Sequence, residues 1–258
     1  QQYIDLFTKY EDLICRKSVP VLNALRAQAF ADFERLGFPS LKGEDYKYTD
    51  VEKAFAPDYG ININRLNIPV NPYDVFHCDV PNLSTSLYFV VNDSFYDKEL
   101  PKAHLPEGVY AGGLCRFASE YPEIAARYYG KLAQTSENGV VALNTMLAQD
   151  GFVVYVPKHT VVERPIQLVN IFRSDVDTMA NRRILFIVEE NAEARLLVCD
   201  HSIDDVKFFS NQVIEIFAGA NARADYYDLE ESSVSTTRFS NLFVRQEAHS
   251  SVVVNGVT

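Results

Sequence analysis

The sequence predicts a mainly β fold with α content: a partial solenoid of stacked β-coils, preceded by a helical and mixed region. Three observations predict it. A short module recurs in the C-terminal half, reading IVEENAEARLLVCD from Ile187, IFAGANARADYYDL from Ile216 and VRQEAHSSVVVNGV from Val244. From Phe152 onward nearly every segment alternates apolar and polar residues as a strand does. Before Gly37, in contrast, apolar residues recur every three or four positions, the spacing of an amphipathic helix.

The repeat carries the most information. Aligning Asn191, Asn221 and Glu247 spaces the copies by 30 and 26 residues. Apolar pairs precede the aligned position (Phe186–Ile187, Ile216–Phe217, Leu242–Phe243) and follow it (Leu196–Leu197, Tyr226–Tyr227, Val252–Val253). Ala192, Ala222 and Ala248 take one equivalent position. Each copy therefore reads as strand, tight turn with a small residue, strand. A period of roughly 20–50 residues marks units that bury their apolar face only by stacking. A looser copy, GFVVYVPKHTVVERPIQLV from Gly151, has extra residues in its turn. Ordinary β-hairpins are the alternative; the shared register of apolar and small positions favours coils.

The elements follow in order. Ile4, Leu6, Phe7, Tyr10, Leu13 and Ile14 form a first helical stripe. Pro20 opens a second, with Leu22, Leu25, Ala29 and Phe33 on one face and Gly37 past its end, the usual asymmetry of helix termini. Residues 57–110 are punctuated by turn formers, among them Pro57, Gly60 and Pro106, around short apolar runs such as Leu87–Val91, and read as short strands in irregular connections. Residues 112–133 read as helix broken near Pro122, Asn138-Gly139 as a turn, and Ala142–Gly151 as a short helix. The boundary falls between a helical and mixed part, 1–136, and a β-helix core, 137–258. The pattern is still in mid-repeat at Ser251–Thr258. An uncovered coil end invites association, so the core is expected to be shortened at its C-terminal end, or covered there by a partner.

Composition excludes several classes. Hydrophobic residues make up 47% and charged residues 23% of 258, ordinary for a globular protein, and the formal net charge is −11. An acidic chain lacks the phosphate-neutralising surface of a nucleic-acid binder and the basic patch that docks on anionic membranes. No apolar stretch approaches the roughly 18 residues of a membrane span, and the start, QQYIDLFTKYEDL, is no signal peptide. Cys15, Cys78, Cys115 and Cys199 are scattered and form no CxxC pair, so they read as reduced thiols of a cytoplasmic protein.

Catalysis is not indicated. His77-Cys78-Asp79 and Cys199-Asp200-His201 place possible ligands side by side, but neighbouring strand residues point to opposite faces. His104, His159 and His249 are isolated, and no HxH or HExxH spacing is present. Glu189-Glu190 and Glu230-Glu231 read as solvated strand ends. There is no GxSxG, phosphate loop or GxGxxG, and no Trp for sugar stacking. No catalytic, cofactor-binding or metal residue is assigned. The chain alone is expected to show no ATPase, hydrolase or lyase activity and to purify without stoichiometric zinc.

A resemblance sharpens this reading. Gly139–Phe152, continuing as Val153-Val154-Tyr155-Val156-Pro157-Lys158 and ending in Pro165-Ile166-Gln167-Leu168, resembles a signature of the SufB/SufD family of iron–sulfur cluster assembly subunits. Gly43–Asp50 is similar to that family's WKYT element, with Tyr46 in place of Trp, and Arg35–Pro39 is similar to the approach to it in SufD-type members. The resemblance implies a right-handed parallel β-helix and a C-terminally shortened SufD-type scaffold. It implies a complex with a SufB-type paralogue and a SufC-type ATPase, in which the full complex assembles the cluster and this chain alone binds no cofactor. No family functional residue maps onto a matched position. Without the partners, a homodimer through Val252 and Val254 is expected. A β-helix carbohydrate-active enzyme and a structural solenoid are the alternatives; both need export, for which there is no signal.

Overall fold

Two periodicities become two layers. The computed structural model describes residues 1–76, 84–101 and 105–257. The helices are α1 (Gln2–Arg16), α2 (Pro20–Asn23), α3 (Arg26–Leu36), α4 (Val51–Phe55), α5 (Pro72–Val75), α6 (Leu114–Glu120), α7 (Pro122–Tyr128) and α8 (Gly139–Leu147). The strands are β1 (Ser86–Val91), β2 (Ser94–Phe95), β3 (Tyr110–Gly113), β4 (Phe152–Val156), β5 (Ile166–Phe172), β6 (Thr178–Val188), β7 (Glu193–Ser202), β8 (Phe208–Ala218), β9 (Arg223–Glu231), β10 (Thr236–Gln246) and β11 (Ser251–Val257).

The strands alternate between two sheets. One has the order β10-β8-β6-β4-β3, the other β11-β9-β7-β5-β1-β2. β4 and β5, β6 and β7, β8 and β9, and β10 and β11 are thus four successive coils, and every coil-to-coil pairing is parallel. This is the expected β-solenoid, not a hairpin meander. Ile184 pairs with Ile214 and Ile214 with Leu242, rungs of thirty and twenty-eight residues. At the N-terminal end β3 runs antiparallel to β4, and β2 antiparallel to β1. These reversals close the parallel ladder there.

Turn chemistry fixes the rung. His159, Asn191, Asn221 and His249 all have φ between 54° and 60°, the left-handed region that Asn tolerates better than most residues. Asn191 and Asn221 donate their backbone N–H to the carbonyls of Ala220 and Ala248 in the next coil, and the Asn221 amide donates to Asn191 Oδ1 at 3.1 Å. This corrects the alignment of the third copy. The residue equivalent to Asn221 is His249, not Glu247, and Ser250 rather than Ala248 follows it; Arg223 pairs with Ser251. The last rung has lost two residues, and a small apolar residue in the neighbouring turn, Ala248, mimicked the repeat. Ala192 and Ala222 are equivalent as expected, and both are buried.

Between the sheets lies an apolar core of Phe152, Val154, Ile184, Phe186, Leu196, Val198, Ile214, Ile216 and Tyr226, with Ala192, Ala194, Ala222 and Ala224 where the coil narrows. The outer face of the β4–β10 sheet is equally buried, which is why β6 and β8 are buried along their full lengths. Met179, Phe209 and Phe239 pack under α1, α3 and α4 with Phe7, Phe33 and Phe55. Val153, Leu185, Ile187 and Phe217 pack under α2, α6 and α7 with Leu22, Phe117 and Tyr129. A strand buried on both faces reads as a nearly continuous apolar run, as in RILFIV and QVIEIF.

The helix expected from Pro20 to Leu36 is two, interrupted at Ala24 and Leu25. The interruption turns Arg26 inward, where it is 1% exposed. Its guanidinium donates to the carbonyls of Met146 and Ala148, each at 2.7 Å, and to Ser18 Oγ. It thereby satisfies acceptors that the end of α8 would leave open. Gly151 sits where a Cβ would run into the Arg183 carbonyl. Gly151→Ala is expected to lower unfolding free energy by about 1–3 kcal/mol through forced backbone displacement, measured by urea denaturation. An unchanged midpoint would show that β4 has room to move away from β6.

Candidate functional site

The outward row of β6 and β8 is apolar except at Asn181, Arg183, Asn211 and Glu215, and all four are buried. There the sheet meets α8 and the loop after α7. Arg183 Nη2 lies 3.1 Å from Glu215 Oε2, with the two side chains 1% and 0% exposed. Glu215 also accepts from the backbone N–H of Gly130, Leu132 and Ala133 at 2.9, 2.8 and 3.2 Å. Three N–H donors and a guanidinium aimed at one carboxylate form a charge-assisted set. Arg183 stacks on the Tyr129 ring, its Cζ 4.6 Å from the centroid.

The α8 residues complete this layer. Asn144 donates to the Arg182 and Asn211 carbonyls at 3.1 and 2.7 Å, so one amide bridges β6 and β8. Its Oδ1 and Thr145 Oγ1 face Arg183 Nη1 at 3.4 and 3.3 Å. Asn138, read as a turn residue, is the N-cap of α8: Oδ1 accepts from Val140 N–H, and Nδ2 donates to the Tyr46 hydroxyl. Tyr46, standing in place of the signature Trp, donates to Asn241 on β10. Asp150 accepts from the N–H groups of Cys115 and Phe95 at 3.0 and 3.2 Å. The signature residues are thus docking residues that hold the helical layer on the sheet. Sequence spacing could find the motif, but not the Arg183–Glu215 pair it surrounds.

A second charged group lies inside the solenoid. Arg182, the neighbour of Arg183, points inward, its Nη1 3.0 Å from Asp200 Oδ1 and its Nε bonded to the Asn92 carbonyl. Arg238 of the last coil pairs with Asp200 at 3.3 Å, with Asp228 more closely, and with Glu230 at 3.8 Å. Burial pulls the Arg182 guanidinium down and pushes the Asp228 carboxyl up. Burial also acts against charge on Arg238, but Asp200 and Asp228 outweigh it and the net shift is upward.

The motifs singled out in sequence disperse. His77-Cys78-Asp79 and His104 lie outside the described residues. Asp200 faces the interior, while Cys199 packs with Phe89, Val169 and Ile171 on the outer face of the other sheet. His201, two residues on, pairs with Glu231 at 3.1 Å. His159 and His249 are left-handed turn residues. Glu189 accepts from the Tyr128 hydroxyl at 2.6 Å, and Glu190 pairs with Lys158. These carboxylates have structural partners. Among the described residues no group of three or more His, Cys, Asp or Glu is placed to hold a metal ion. Burial pushes the Cys115 thiol well above its ordinary range, which disfavours the thiolate.

The fold and this layer define a class: a two-sheet β-solenoid with a helical cap locked to one sheet. The chain belongs to the SufBD family. Residues 1–168 match the SufBD protein N-terminal region, and residues 171–258 match the SufBD core domain of SUF system FeS cluster assembly. It is similar to protein ABCI7, chloroplastic, of Arabidopsis thaliana, 26% identical over 224 residues that cover 83% of this chain and 45% of the relative. It is 27% identical over 235 residues to the ycf24 SufBD family protein of Trieres chinensis, covering 84% and 48%. It is 25% identical over 167 residues to iron-sulfur cluster assembly protein SufD of Bacillus subtilis, covering 63% and 38%. The chain spans less than half the length of these relatives.

Arg183→Leu or Glu215→Gln alone is expected to cost about 3–5 kcal/mol, because each strands a buried charge or its donors. The Arg183→Leu/Glu215→Leu double variant should cost less than the sum of the two single changes to Leu. Denaturant melts of Glu215→Gln, of the two single Leu variants and of the double variant measure this. Simple additivity would mean that the two side chains act independently.

Proposed function

We propose that the chain is the scaffold part of a SufD-type subunit in iron–sulfur cluster assembly. It pairs with a SufB-type paralogue and a SufC-type ATPase; the cluster is the cargo of the full complex, and ATP turnover belongs to the ATPase. The family match over nearly the whole chain carries this reading. The geometry supports it. Among the described residues, Arg183, Glu215, Asn144 and Asp150 are engaged in docking one layer on another, and coils stacked this way supply a platform.

The association surface is the last coil. β10 and β11 each pair on one side only. Their residues are largely half-buried or exposed, in contrast with the wholly buried β8. Val244, Val253, Val254 and Val257 are among the exposed apolar side chains. Parallel strand edges with apolar side chains recruit further strands, from additional coils or from a paralogous subunit. No described helix is long and apolar enough to cross a membrane. The proposed location is the compartment that holds the SUF components: cytoplasm in bacteria, with a chloroplastic relative extending the range.

Two measurements test this reading. The full-length protein is expected to co-purify with a SUF-type ATPase and paralogue, and to hydrolyse no ATP without them; recovery alone, with intrinsic ATPase activity, would overturn the proposal. The isolated 258-residue chain should dimerise with rising concentration through the β10–β11 edge, seen by light scattering, and Val254→Lys should shift it toward monomer. A strict monomer at every concentration would contradict the assignment of that edge.

A further inference from the structure

The interior of a solenoid is ordinarily apolar, and here one level of it is not. Arg182 and Gln212 are register partners on β6 and β8, and Gln212 pairs with Ser240 on β10. Across the interior, Asn170, Asp200 and Glu230 are register partners on β5, β7 and β9, and Asp228 stands two residues before Glu230 on the same face of β9. The Arg182–Asp200 ion pair joins the two rows, and Arg238 ties Asp200 to Asp228 one coil further on. Ion pairing accounts for much of this level, but not for all of it.

Gln212 is 0% exposed, and neither Nε2 nor Oε1 has a protein partner among the described residues. The same holds for Arg182 Nη2, Asn170 Nδ2 and Asp228 Oδ1. Leaving a buried polar group unpaired is costly, and native chains rarely do so. The orphaned set contains donors (Gln212 Nε2, Arg182 Nη2, Asn170 Nδ2) and acceptors (Gln212 Oε1, Asp228 Oδ1). A molecule that satisfies it must both donate and accept. A metal ion would meet the guanidinium groups of Arg182 and Arg238, and an anion would meet Asp200, Asp228 and Glu230, so neither charge sign is favoured.

We propose that this part of the solenoid interior is a binding site for a neutral, water-sized molecule, held by Gln212 and Arg182 from one sheet and by Asn170 and Asp228 from the other. Water is the class that fits, since it can make about three hydrogen bonds to buried polar groups. The bound molecule cross-links the sheets where apolar packing gives way to charge.

A high-resolution crystal structure of the unmodified chain is the first test. Density within hydrogen-bond distance of the Gln212 amide, shared with Arg182, Asn170 or Asp228, is expected. A dry site, with the amide re-paired to protein atoms, would overturn the proposal. Thermal unfolding of Gln212→Leu gives an independent sign. If the molecule is bound, removing the amide leaves Arg182 and Asp228 unserved, and the midpoint falls. If the site is dry, an orphaned amide is replaced by an apolar side chain of similar size, and the midpoint rises. Should the variant fail to fold, long-lived internal water measured by magnetic relaxation dispersion on the unmodified chain decides: its presence supports the site, and its absence overturns it.

Discussion

A carboxylate and a guanidinium buried together are costly unless they pair with each other and with further hydrogen-bonding groups. Arg183 and Glu215 impose that constraint on this fold. Glu215 needs the N–H groups of Gly130, Leu132 and Ala133, so the chain after α7 must turn inward there. Gly130 makes the turn at φ 68°. Arg183 needs Asn144 and Thr145, so α8 must lie across β6 and β8. Arg26 then closes the far end of α8 and draws α3 onto it. A packed apolar interface could supply comparable free energy, but would accept sliding of the helices along the strands. The polar pair accepts one position, and its contribution is chiefly to specificity.

The solenoid supplies the other half of the platform. Left-handed turn residues at His159, Asn191, Asn221 and His249 set where each coil changes sheet. Small residues follow them where the sheets converge, and large ones fill the middle. Because every coil repeats this arrangement, the last coil presents the same ladder as those beneath it. The antiparallel β2 and β3 give the N-terminal end of the ladder a different character.

The repeat made the coils legible in sequence because stacking demands similar side chains at each level. It misplaced the third copy because Ala248, the counterpart of Ala220 one residue before the left-handed turn position, resembled Ala192 and Ala222, which follow it. The long N-terminal helices were legible from their apolar stripes; α5, in the stretch 57–110 read as short strands, was not, nor was the break before Arg26, whose side chain reaches α8 more than a hundred residues away. Motif spacing located Asn144, Asp150 and Gly151 without their roles. The Arg183–Glu215 pair left no local signal: in RRILFIV and QVIEIF the charges look like ordinary outward positions of a half-exposed strand. Only the helical layer, brought there by long-range packing, converts them into buried partners.

The central claim is that the helical cap and the solenoid are one cooperative unit, joined through this layer. Native-state hydrogen exchange tests it most directly. Amides of α8 and of the Gly130–Ala133 turn should exchange with the same free energy as the central amides of β6 and β8, and should fall with them when Glu215 is changed to Gln. Exchange of α8 at much lower free energy, with the β6 and β8 amides still fully protected, would show that the cap opens independently and that the buried pair does not bind the two layers together.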